Sequence, residues 1–182
     1  PVYGTFDATV SVGAIEHFCS LEQYKAGQQE EIYRKFFETV SNLLPKGGRF
    51  FLQTMTFTKN MLKPEELDIH ADKKSIAYIL ALNEKLFPGS WLPYGSEMLL
   101  RDAAPYFKMI NMSSGRADYI ETILRWRPMF RRFGLKKYAL YGKFVLENMF
   151  SKKFLHLVDV FKINPIRVCF ERDVMDHYRI VF

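Results

Sequence analysis

Little in this 182-residue sequence points to a covalent or metal framework. It has two cysteines, Cys19 and Cys169, and no CxxC, so neither a disulfide scaffold nor a zinc site is indicated. A reducing cytoplasm is the simpler setting for such a chain. His70, His156 and His177 lack metal-ligand spacing and read as structural or exposed; no metal is expected. No apolar run approaches the ~20 residues needed to span a bilayer, and no signal sequence opens the chain. It begins at Pro1 rather than Met, which suits a processed or truncated polypeptide. No GxGxxG occurs, so a nucleotide-type cofactor is either not bound or is held by a part upstream of Pro1. Internal repeats and low-complexity linkers are also lacking.

What is present is an ordinary globular balance, 48% hydrophobic and 25% charged. Aromatics are abundant, with 17 Phe and 10 Tyr; they suit a packed core and an apolar channel equally. The net charge of +6 favours anionic partners. Basic residues gather at Arg125, Arg127, Arg131, Arg132, Lys136, Lys137, Lys143, Lys152 and Lys153, opposed there by Glu147. Interleaved Phe130, Phe133, Tyr138, Tyr141 and Phe144 suit a helix lying on an anionic membrane surface; a plain solvated face is the alternative. No recognisable DNA- or RNA-binding motif accompanies these charges, so no nucleic acid partner is expected.

Along the chain, Phe6–Val12 reads as a buried strand and Leu21–Leu44 as one long amphipathic helix after the N-cap Ser20. Pro45-Lys46-Gly47-Gly48 stops it, and Arg49–Met55 reads as a second strand, completing a parallel, right-handed βαβ unit. Lys59–Asp72 is polar and irregular. Helices are expected over Lys73–Leu86 and Gly95–Ala104, the latter capped by Ser96. Phe107–Met112 is a third strand candidate. Further helices are expected over Tyr119–Phe130, Leu135–Phe150 and Phe154–Phe161, and a terminal strand over Tyr178–Phe182. The class is α/β with a helical insert, about 114–168, before the last strand.

Several segments carry a family resemblance. FDATVSVGAIEHF (Phe6–Phe18), YRKFF (Tyr33–Phe37) before Leu43-Leu44-Pro45 and Gly47-Gly48, LQTM (Leu52–Met55), FPGSWLP (Phe87–Pro93), Asp118-Tyr119 with Thr122, Leu124 and Trp126, and Arg172-Asp173 occur in this order. The set resembles the cyclopropane fatty acid and mycolic acid cyclopropane synthases, whose patterns run close to FDxIVSxGxFEHFG, LHTI, FPGGxLP and DYxxTLxxW. The resemblance implies a Rossmann-like S-adenosylmethionine (SAM) methyltransferase sheet, of which residues 1–182 supply strands four to seven, with the glycine-loop part absent. It implies SAM as cofactor, bicarbonate as a candidate base, and unsaturated acyl chains, here of a phospholipid, as substrate. The sulfonium methyl goes to a cis double bond, and the resulting cation loses a proton.

By the same resemblance Glu16 and Tyr119 hold the base, Gln53 stands where the family has His, the backbone near Met55 completes the pocket, and His17 either takes part or orients the loop. Ser11 and Gly13 are expected near the cofactor. Phe87, Trp91, Trp126 and Phe130 are expected along an acyl channel or in the core. Two departures stand out: Gln53 cannot carry a proton or charge, and about ten extra residues lie around Cys19–Glu30, with Cys19 in place of Gly. The lost His leaves open methyl branching, an amine acceptor, or a decayed enzyme retained for membrane docking. The assignment requires Glu16 and Tyr119 to converge on one apolar cavity at the tip of a parallel sheet.

Overall fold

The computed structural model describes residues 4–132, 134–151 and 154–182, without the side chains at 127, 130, 131, 155 and 157. A four-stranded sheet, in the order β1-β2-β4-β3, carries the fold. β1 (Ala8–Val12) runs parallel to β2 (Arg49–Phe57). The connection holds two helices, α1 (Leu21–Lys25) and α2 (Gln29–Asn42), where the periodicity suggested one. Gly27 at φ +75° turns the chain between them, a conformation closed to most other residues. Ser20 does cap α1: its hydroxyl accepts from the Gln23 amide at 3.2 Å, and Gln23 Oε1 accepts from the Ser20 amide at 2.8 Å, a reciprocal cap.

α2 lays Tyr33, Phe37 and Val40 against Phe50 and Leu52 of β2, and Phe107 and Phe182 join the same aromatic core. Phe107 therefore belongs to the turn after α4 (Gly95–Ala103), its amide bonded to the Ala103 carbonyl. The third strand, β3, comes later than expected, at Asn111–Ser114. Ser96 is not the cap of α4; Tyr94 holds that position and Ser96 is buried inside the helix. α3 spans Ile76–Leu86 and starts at the capping hydroxyl of Ser75.

The sheet is mixed, not wholly parallel. β4 (Met175–Val181) is antiparallel to both β2 and β3. Between β3 and β4 the described residues form four helices: α5 (Arg116–Arg131), α6 (Leu135–Asn148), α7 (Phe154–Ile163) and α8 (Pro165–Glu171). This segment leaves and rejoins the sheet at the same end, where the Gly115 amide donates to the His177 carbonyl at 2.7 Å. A chain returning to the end it left must run back antiparallel. α8 was not foreseen; Asn164, at φ +54°, caps it by accepting from the Arg167 amide. A second core under α3 and α8 gathers Phe57, Leu80, Trp91, Phe170 and Met175. No helix among the described residues is long and apolar enough to cross a membrane.

Candidate active site

β2 outruns β1, and the site is built on that difference. β1 ends at Val12, and Gly13, at φ +62°, donates its amide to the Gln53 carbonyl at 2.9 Å. Beyond this point β2 meets no residue of β1; the Phe57 amide goes to the Pro93 carbonyl at 2.8 Å, and the Met55 amide between the two is left to the next group that arrives. A single 3-10 turn, Ile15–His17, brings Glu16 to it. The buried carboxylate accepts from the Met55 amide at 2.5 Å and from Thr54 Oγ1 at 3.2 Å, both through Oε1. Burial raises the Glu16 pKa above its usual value, and these bonds only partly offset that.

On the other side of β2, His177 of β4 stands opposite Met55. Its ring is buried, and its Nδ1 has no hydrogen-bond partner. The Tyr119 ring, in the first turn of α5, packs 5.1 Å from it and stacks on Phe170 at 4.9 Å. Burial first, and then the Glu16 charge, push the Tyr119 pKa up, so its hydroxyl stays a donor at neutral pH. Burial and Arg179 push the His177 pKa down, favouring a neutral imidazole. Gly115 makes the packing possible: a β-carbon there would lie 2.6 Å from His177 Nδ1. Asp118 fixes α5 to β4 through Arg179 at 2.8 Å.

Glu16 and Tyr119 thus flank Met55 within electrostatic reach of each other, but they do not line one cavity. A cavity of about 110 Å³ takes in Glu16, His17, Met55, Phe57, Phe87, Leu92 and Trp91. A larger one, about 330 Å³, lies between α5, α6, α7 and α8 and takes in Tyr119 and Trp126. Ile166 lines both, so they adjoin.

Gln53 is half-buried between Val12 and Arg179 in register and lines neither cavity. His17 is exposed and ties the loop to the FPGSWLP turn through Ser90 Oγ at 2.7 Å. Trp91 is core as well as wall, edge-on to Phe57 at 5.0 Å. Ser11 is buried with an unpartnered hydroxyl near the end of β1. The Phe130 side chain lies outside the described residues. Sequence reading missed Thr54 and His177. The strand pairing puts His177 beside Met55, and no motif signals it.

The family model for mycolic acid cyclopropane synthetase matches residues 2–170. The chain belongs to that family. Among curated relatives, the S-adenosylmethionine-dependent methyltransferase UmaA of Mycobacterium tuberculosis is 26% identical over 76% of this chain and 46% of its own length. Cyclopropane mycolic acid synthase 2 of Mycobacterium bovis is 28% identical over 75% and 44%. The chain thus spans less than half the length of the curated relatives it matches. Among solved structures, the cyclopropane synthase MmaA2 of Mycobacterium tuberculosis superposes with a TM-score of 0.67 at 19% identity, covering 98% of this chain and 55% of that one. Mycolic acid cyclopropane synthase CmaA1, complexed with SAH and CTAB, gives 0.65 at 22%, covering 99% and 56%. At these identities the superpositions establish the Rossmann-like methyltransferase fold.

Proposed function

We propose that this chain is the C-terminal portion of a SAM-dependent methyltransferase that acts on the cis double bond of an unsaturated acyl chain. The observation that carries the reading is the buried Glu16 carboxylate, bound to the Met55 amide just beyond the end of β1 and facing an apolar cavity. On this reading the glycine loop and the first three strands lie in a preceding segment. Exposed Val10 and Val12 on β1, whose outer edge has no strand partner among the described residues, suit a surface that such a segment covers.

The cofactor, when bound, supplies an electrophilic methyl group. Ser11, with its unpartnered buried hydroxyl, and Gly13, with no side chain to block approach, fit one wall of its site. An alkene is a weak nucleophile, so the protein's main task is to hold it in line with the methyl group. Phe57, Leu80, Leu92 and Ile166 provide the water-free surface that a developing carbocation needs. Tyr119 offers a hydroxyl donor. Glu16 offers a carboxyl whose raised pKa eases the approach of an anionic base such as bicarbonate. Gln53 donates and accepts hydrogen bonds but holds no charge, and we assign to it a shift from ring closure toward methyl-branched or methylene products.

The test is mass spectrometry of membrane lipids from a host expressing the full-length coding region. Acyl chains should gain one methylene unit, and Glu16→Gln should abolish the gain. Methylated amines with unchanged lipids would replace this reading with amine transfer. Gln53→His should raise the share of ring-closed product; an unchanged ratio and rate would remove the assigned role of Gln53.

A further inference from the structure

The geometry of the insert points to one further element: we propose that the outer face of α6 is a docking surface for an anionic lipid bilayer. None of the residues of α6 is buried. Its inner side is marked by Phe144, which meets Phe161 of α7 edge-on at 6.4 Å. On the outer side, helical spacing lines up Leu135, Tyr138, Val145, Leu146 and the C-cap Met149. Leu135 is 78% exposed and Leu146 71%, and Phe150, just past the helix, is 91% exposed. A continuous apolar stripe of this kind, left in water, marks an interaction surface.

The charges choose the partner. Lys136 and Lys143 flank the stripe on one side, and exposed Arg132 precedes the helix. Lys143 meets Glu147 only at 3.7 Å with both side chains largely exposed, so it remains free to meet another anion. An apolar helix face bordered by basic residues is the composition of interfacial helices on anionic lipid. A second copy of the chain fits worse, because a two-fold contact over this stripe would bring the lysines of both copies together. The position also suits the substrate class. Tyr141 of α6 and Trp126 of α5 line the 330 Å³ cavity beside Tyr119, so docking would bring that cavity up to the acyl layer. This last point rests on the proposed function; the docking itself does not.

The experiment is co-sedimentation of the chain with phosphatidylcholine vesicles, with and without about one third phosphatidylglycerol, at low and at about 1 M salt, where the screening length shrinks to about 3 Å. The chain should sediment with the anionic vesicles, stay in solution with neutral ones, and come off at high salt. Lys136→Glu with Lys143→Glu should lower the partition coefficient by about fivefold or more per lysine, the equivalent of about 1 kcal/mol each, and Leu146→Asp should abolish sedimentation. Val10→Asp, changing a residue 67% exposed on β1, should leave binding intact. Superimposable far-UV melting curves for the variants confirm that folding is kept. Equal binding to neutral vesicles, or undiminished binding by Leu146→Asp, overturns the proposal. So does a concentration-dependent dimer that Leu146→Asp dissociates without any vesicle binding. Because no cofactor is involved, a failure here leaves the methyl-transfer reading standing, and a failed lipid assay leaves this one standing.

Discussion

Glu16→Gln should make the protein more stable at neutral pH while removing its activity. Two opposing effects meet at this carboxylate. The bonds from the Met55 amide and the Thr54 hydroxyl each favour the charged form by about 1.5–3 kcal/mol. Removing the charge from water costs several kcal/mol, and here burial outweighs the bonds, because the pKa is raised above its usual 4.5. Each unit of such a rise corresponds to about 1.4 kcal/mol. Below the unfolded value both states keep the proton and the residue costs nothing. As pH climbs past it, the unfolded chain releases its proton first, and stability falls until the folded value is passed. Gln has no proton to lose, and its amide oxygen still accepts from Met55. Urea unfolding from pH 4 to pH 8 should therefore show wild type and variant converging at the acid end. The variant should lead by roughly 0.5–2 kcal/mol at pH 8, the usual gain when a strained functional group is removed. If the variant is instead less stable at pH 8 than wild type, with the deficit vanishing at pH 4, the bonds outweigh burial and the reasoning fails.

Two further substitutions probe what holds the site together. Gly115→Ala places a β-carbon 2.6 Å from His177 Nδ1 and 3.2 Å from the Arg179 guanidinium; it should cost about 1–3 kcal/mol as an overpacking change, read as a lowered Tm, and lower turnover by shifting Tyr119. Asp159 of α7 takes Lys73 Nζ at 2.7 Å and the Tyr78 hydroxyl at 2.6 Å, tying the insert to α3. Asp159→Asn should cost about 1–3 kcal/mol and speed proteolysis within the insert. Burial raises the Asp159 pKa, but the bonds and charges of Lys73 and Tyr78 bring it below the usual 3.8 overall. Its contribution is thus full above that value and lost as pH falls through the lowered one, so proteolysis of wild type should quicken only in that acid range.

β1, β2, most of β4 and most helices are legible in the sequence because their signals are local: β-rich runs between glycines, apolar spacing, and caps such as Ser20. What escapes is set by distant partners. A break at Gly27 is hidden inside a continuous apolar period. Phe107 looks like a strand residue until the aromatic core of Phe37, Phe50 and Phe182 claims it. The reversal of β4 depends on where a four-helix insert re-enters the sheet. The site divides in the same way. Glu16 and Tyr119 are readable from motifs, and the structure sets them on either side of Met55. The Met55 amide is available only because β2 is longer than β1, and His177 reaches the site only through its register with Met55. Both are properties of strand pairing, which spacing along one chain does not encode.

The same register gives a physical account of how this site tolerates Gln at position 53. Burial keeps Tyr119 protonated and favours a neutral His177, and Arg179 is already engaged by Asp118. A fixed positive charge beside an alkene would oppose the carbocation that methyl transfer creates, and in an apolar cavity that opposition is little screened. Gln53 lines neither cavity; in register between Val12 and Arg179, its neutral amide adds no charge and keeps hydrogen-bonding capacity. What it gives up is a group that takes protons; on the proposed function, proton removal falls to Glu16 or to a base held beside it. On the proposed function, Glu16 acting as the base gives activity that rises as pH climbs through its raised pKa, whereas Glu16 holding an anionic base gives activity that falls there. A profile instead governed by a group titrating below the usual histidine value, and abolished by His177→Gln, would move the proton acceptor to β4.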